Sequence, residues 1–63
     1  MQRYDYEGPV MEFDTVITRN WRGTTYAPSE KKARSNLAYQ YKKQFGRATM
    51  SKIFLPGKLT VKL

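Results

Sequence analysis

The side chains best equipped for chemistry in this 63-residue chain are basic and aromatic, and many of them lie between residues 31 and 43. At about 100° of rotation per helical residue, Lys31, Lys32, Ser35, Asn36, Tyr39, Lys42 and Lys43 fall on one arc. Such a set is suited to binding a polyanion. Ammonium groups displace the counterions of a phosphate backbone, hydroxyl and amide groups hydrogen-bond to phosphate or to a base edge, and a Tyr ring stacks on a base or sugar. The competing reading is an ordinary solvated helix face. Such faces usually interleave Lys with Glu at i, i+4, whereas no acid follows Glu30 anywhere in this chain. Lys31, Lys32, Ser35, Tyr39, Lys42 and Lys43 are therefore the expected nucleic-acid-binding residues, with Arg19, Trp21, Arg22, Arg34 and Arg47 as candidates for further contacts. Arg34 falls close to the apolar arc, where its stem can cover core while its head emerges beside the sheet. Trp21 has two readings, a plug closing the core of a small sheet or an exposed contact beside Arg19 and Arg22.

Catalysis finds little support in the residue types. With no His and no Cys, the usual general base, thiol nucleophile and imidazole metal ligand are missing, and carboxylates, Lys, Tyr and hydroxyls remain. Asp5, Glu7, Glu12 and Asp14 could gather across a hairpin around Mg²⁺. The favoured alternative is that these acids are solvated strand residues or pair with the Arg side chains of the same sheet. No phosphate-cradling Gly-rich loop or triad spacing is present, so no catalytic residue, metal or cofactor is expected.

These side chains need a scaffold, and the elements can be read locally. Pro28-Ser29-Glu30 opens a helix, with Ser29 as N-cap and Glu30 facing the positive end of the dipole. Gly46 stops it, and the stretch between has no Gly or Pro, which predicts one amphipathic helix at about residues 29–45. Its apolar arc holds Ala33, Leu37, Ala38, Tyr41 and Phe45. Before it, β-branched and aromatic residues predict strands. Two hairpin layouts fit. One turns at Gly8-Pro9; the other, slightly preferred, has a long bulged first strand turning at Phe13-Asp14-Thr15. Unbroken pairing from Val10 to Thr18 would put Met11, Phe13, Thr15 and Ile17 on one face. Asn20-Trp21-Arg22-Gly23 reads as a turn or bulge before a short strand at residues 24–26. After the helix, Ser51–Leu55 and Lys58–Leu63 alternate as strands about Pro56-Gly57, a type II turn pair that also admits a bent or wider connection. Ile53, Leu55, Leu59, Val61 and Leu63 are expected inward; Lys52, Lys58, Thr60 and Lys62 are expected on the other side. The fold class is α+β, a small antiparallel sheet on one helix in a single domain over residues 1–63.

The net charge of +7 is segregated. Residues 1–30 carry three Arg against five acids, whereas residues 31–63 carry nine basic side chains and no acid. A field of one sign attracts nucleic acid, acidic protein or an anionic surface; otherwise it serves solubility. The binding reading asks those nine groups to merge into one patch, whereas Lys52, Lys58 and Lys62 on a different side would spread the charge and favour the solubility reading. The longest apolar run, Ile53-Phe54-Leu55, is far below a membrane span of about 18 residues, so no membrane association is expected. A core this small has only a few kcal/mol to spare, which leaves a homodimer open.

The stretch from Gly23 to Gln44, GTTYAPSEKKARSNLAYQYKKQ, together with Leu55-Pro56-Gly57-Lys58, resembles a group of short uncharacterised proteins encoded in phages and prophages of Gram-positive bacteria, over roughly residues 10–62. The resemblance implies a host-cytoplasm or virion setting and no assigned activity. Ser29-Glu30-Lys31-Lys32-Ala33 is similar to the last helix start of double-stranded RNA-binding domains, whose paired Lys contact phosphates. This chain differs in lacking a first helix and in having strands after the last one. Arm-binding domains of phage integrases also place strands before a helix, but read DNA with the sheet. The combined expectation is a non-enzymatic phage accessory protein of the bacterial cytoplasm that binds DNA or RNA through phosphates. The alternative is a protein-interaction module that docks on an acidic host or phage protein, or a virion component.

Overall fold

The N-terminal half folds as one long antiparallel hairpin, formed by β1 (Gln2–Glu12) and β2 (Thr15–Ala27). The computed structural model describes residues 1–47 and 52–62. The hairpin loop is Phe13-Asp14, with Glu12 opposite Thr15, so the turn falls where the second layout puts it. It interrupts the alternation expected from Val10 to Thr18. Gly8-Pro9 lies inside β1, beside a register shift, and not at a turn. Between Gly8 and Met11 the ladder shifts twice, because five steps of β2, from Trp21 to Val16, span three of β1. These bulges bend and twist the strand.

The region expected as a turn or bulge at Asn20–Gly23 is strand throughout with a bulge at its start, where the register shifts between Thr18 and Trp21; Trp21 then stands opposite Gly8 and Gly23 opposite Tyr6. The reason is packing: a Cβ at Gly23 would come within 2.6 Å of the Trp21 ring and 2.9 Å of Leu37. That glycine makes room in a strand and does not turn the chain.

The helix α1 (Glu30–Gln44) begins as predicted, with Ser29 Oγ accepting from Lys32 N–H at 3.3 Å. It ends in a left-handed Gly46 (φ 67°), and Arg47 N–H donates to Lys42 O at 2.8 Å, the closing bond of a Schellman cap. Beyond it, β3 (Ile53–Phe54) and β4 (Lys58–Lys62) do not pair with each other. Both run antiparallel to β1, β3 at its C-terminal end and β4 at its N-terminal end. Pro56-Gly57 is thus a break in one bent edge, the wider connection, and not a hairpin. The start of the preceding strand at Ser51 and the inward position of Leu63 lie outside the described residues. The result is an α+β fold with four antiparallel strands, β1 central.

The core lies between α1 and one sheet face. Tyr6, Val10, Trp21, Leu37, Tyr41 and Leu55 form its main cluster, with Ile17, Ile53 and Leu59 against it; Tyr4, Ala27 and Ala33 form a smaller one. Trp21 is buried, as the plug reading requires, meeting Tyr41 edge-on at 5.4 Å and donating from Nε1 to Gln44 Oε1 at 3.2 Å. Two expected core positions are outside it. Phe45, the C-cap residue of the helix, is 51% exposed although it packs on Tyr41, and Val61 on the edge strand is 43% exposed.

Candidate nucleic-acid interface

Burial of Ala33, Leu37 and Tyr41 against the sheet fixes the rotation of α1. The outer arc then presents Lys31, Lys32, Ser35 and Lys43 to solvent, with Tyr39 56% exposed among them and Lys42 half-buried. Among the described residues, Lys31, Lys32 and Lys43 form no ion pair. Asn36, placed on this arc by its spacing, turns instead toward β2: its Nδ2 donates to Thr25 Oγ1 at 3.4 Å, and Gln40 Nε2 one turn later donates to Thr24 O at 3.1 Å. The β2 flank of the helix is therefore a docking seam, while Lys31, Ser35, Tyr39 and Lys42 run along the other flank at successive i, i+3 or i+4 steps.

On that second flank, α1 and the segment from Ile53 to Pro56 enclose an open groove of about 610 Å³. Arg34, Ser35, Ala38, Tyr39 and Lys42 form its helical wall. Arg34 donates from Nη1 to the Leu55 carbonyl, pinning the strand segment to the helix. This residue follows the snorkelling pattern expected of it: a half-buried stem and a head at the sheet edge.

The remaining candidates are dispersed. Arg22 pairs with Glu7 at 3.0 Å, and Arg47 with Glu12 at 2.9 Å. Arg19 is exposed in the bulged part of β2, and Trp21, in the core, has no surface to offer a ligand beyond a small exposed edge. With Arg3 on Asp5 at 3.0 Å, three of the acids once considered for Mg²⁺ are each taken by a different arginine.

The nine basic groups do not merge into one patch. Lys58 and Lys62 stand opposite Glu7 and Arg3 on the sheet face turned away from α1, because β1 sends Tyr4 and Tyr6 inward and its alternate residues outward. That open face carries cross-strand rows such as Lys62-Arg3-Tyr26 and Thr60-Asp5-Thr24. Burial tends to raise the Asp5 pKa, but hydrogen bonds from Arg3 and Thr24 and the charges of Arg3 and Lys62 outweigh it and leave the carboxyl below its usual range. Farther along the same face, Val16, Met11 and Phe54 form an apolar row, with Val16 51% and Phe54 49% exposed. Sequence reading missed the row because it depends on a register set by the bulges. Among the described residues no helix is long and apolar enough to cross a membrane.

Comparisons with protein-family models, with curated proteins and with solved structures each return no match to this chain.

Proposed function

We propose that this chain is a small non-enzymatic phage or prophage accessory protein of the bacterial cytoplasm that binds nucleic acid by holding phosphates on the outer face of α1. The nine basic groups after residue 30 form no single patch, with Lys58 and Lys62 on the opposite sheet face, so the reading rests on the helix arc alone and on its freedom from acid. Asp5, Glu7 and Glu12 are occupied by Arg3, Arg22 and Arg47, whereas the helix arc of Lys31, Lys32, Lys42 and Lys43 contains no carboxylate after Glu30. An acid-free face attracts polyanions and repels nothing about them. The test is binding to labelled DNA and RNA over a salt series. Affinity is expected to fall with a log–log slope of about −0.9 per duplex phosphate neutralised, or about −0.7 on a single strand. Absence of binding at low salt overturns the reading.

One observation favours a protein partner as the second reading. Phe13, at the hairpin tip, is 66% exposed and held at φ 56°, a conformation costly for a bulky residue. It lies two residues in sequence from Met11 and three from Val16 of the apolar row, and exposed aromatics held in place are typical of contact surfaces. Retention of one partner in a nuclease-treated pull-down, lost on Phe54→Lys, supports that reading.

A further inference from the structure

A face that only gripped the phosphates of a duplex would need no apolar trough beside it. Yet the groove between α1 and the Ile53–Pro56 segment is lined mostly by apolar surface, and the exposed ring of Tyr39 stands on its helical wall. Its charged lining residues are Arg34 and Lys42, and no carboxylate lines it. The complementary occupant is anionic and also has a flat apolar face. Resting on the phosphate-binding reading, we propose that this groove seats an unpaired base of a single-stranded nucleic acid, with Tyr39 as the stacking ring and Arg34 and Lys42 beside the flanking phosphates.

Two features support a built site. Arg34 is already anchored to the Leu55 carbonyl, so one of its five donors is used and the guanidinium is fixed before a ligand arrives. Lys31 and Ser35 continue the line of Tyr39 and Lys42 along the helix, giving a strand several polar contacts on the same flank. A duplex keeps its bases stacked and paired, whereas single strands are read by stacking splayed bases on aromatic side chains. An acidic peptide would match the charge too, but an unpaired base with its flanking phosphates brings the anion and the flat apolar face together in one unit, so the nucleotide is the better fit.

The experiment is fluorescence anisotropy of the full chain with a labelled oligo(dT) and a duplex of equal length, for wild type, Tyr39→Ala, Tyr39→Phe and Lys32→Gln/Lys43→Gln. Tyr39 is exposed, so its replacement leaves the core intact. The expected result is tighter binding of the single strand by wild type. Tyr39→Ala should weaken that binding by about ten- to a hundredfold, as loss of one stacked base predicts, and duplex binding by much less, and Tyr39→Phe should restore it. Lys32→Gln/Lys43→Gln, on the arc away from the groove, should weaken both ligands and flatten both salt slopes. Equal loss on both ligands with Tyr39→Ala, or no loss on either, overturns the groove proposal while the phosphate reading stands. No binding of either ligand at low salt overturns both, and saturable binding of an acidic peptide in its place assigns the groove to a protein.

Discussion

The Tyr6 hydroxyl donates to Pro9 O at 2.5 Å and accepts from Gly57 N–H at 2.8 Å. One side chain thereby stitches the irregular stretch of β1 to the break between β3 and β4, where a regular ladder cannot continue. Tyr6→Phe removes both bonds and leaves a carbonyl and an amide in a partly buried place, so a loss of about 1–3 kcal/mol is expected, read as a lower urea midpoint. Tyr4→Phe, whose hydroxyl reaches only Gln2 Oε1 at 3.3 Å, should change stability by less than about 0.5 kcal/mol. Burial also pushes the Tyr6 pKa above its ordinary value of 10.0, against the Gly57 N–H and the Arg34 charge, which favour the phenolate. A folded pKa above the unfolded one means the fold holds this proton more tightly. The contribution is whole below about pH 10 and is lost as pH rises through the folded value. Stability measured from pH 8 to 11 should therefore fall less steeply for Tyr6→Phe than for wild type. A parallel fall would show that Tyr6 does not carry the alkaline transition.

At the scale of elements, two glycines that both resemble chain breakers have different roles. Gly46 has φ 67° and nothing within 4 Å of where a Cβ would stand, so Gly46→Ala should cost about 1 kcal/mol, from backbone conformation alone. Gly23 has no positive φ but sits under Trp21 and Leu37, and Gly23→Ala should cost about 1–3 kcal/mol through overpacking. Thermal or urea denaturation separates the two, since pairing Gly23→Ala with Leu37→Val should recover part of its loss by opening space, while the same second change cannot help Gly46→Ala. The helix and its caps were legible because they depend on residues within one turn of each end. The role of Gly23 was not, because the Leu37 side chain that helps to close the space above it comes from the helix, and the Trp21 ring lies over it only in the packed sheet.

For the whole molecule, charge is spread over two sides. Lys32 and Lys43 lie on the helix face, whereas Lys58 and Lys62 lie on the open sheet face beside Glu7 and Arg3. If the helix face meets the phosphates, Lys32→Gln/Lys43→Gln should reduce the duplex salt slope by about 2, while Lys58→Gln/Lys62→Gln should leave it unchanged. The opposite pattern in a salt titration would move the interface to the sheet. The apolar row of Val16, Met11 and Phe54 belongs to this scale too, because it is made from three strands and exists in none of them alone.

The sequence by itself determined the α+β class, the span of α1, its buried stripe of Ala33, Leu37 and Tyr41, and the concentration of positive charge after residue 30. Each follows from composition or from periodicity within a helix, which a chain carries locally. Only the tertiary structure decided that β3 and β4 flank β1 end to end, that Asn36 turns to β2, and that a groove opens beside Tyr39. Those outcomes depend on strand register, and in a ladder of period two a shift of one residue moves a side chain to the other face. Bulges near Gly8 and Val10 set that register through contacts between distant segments, which no local pattern records.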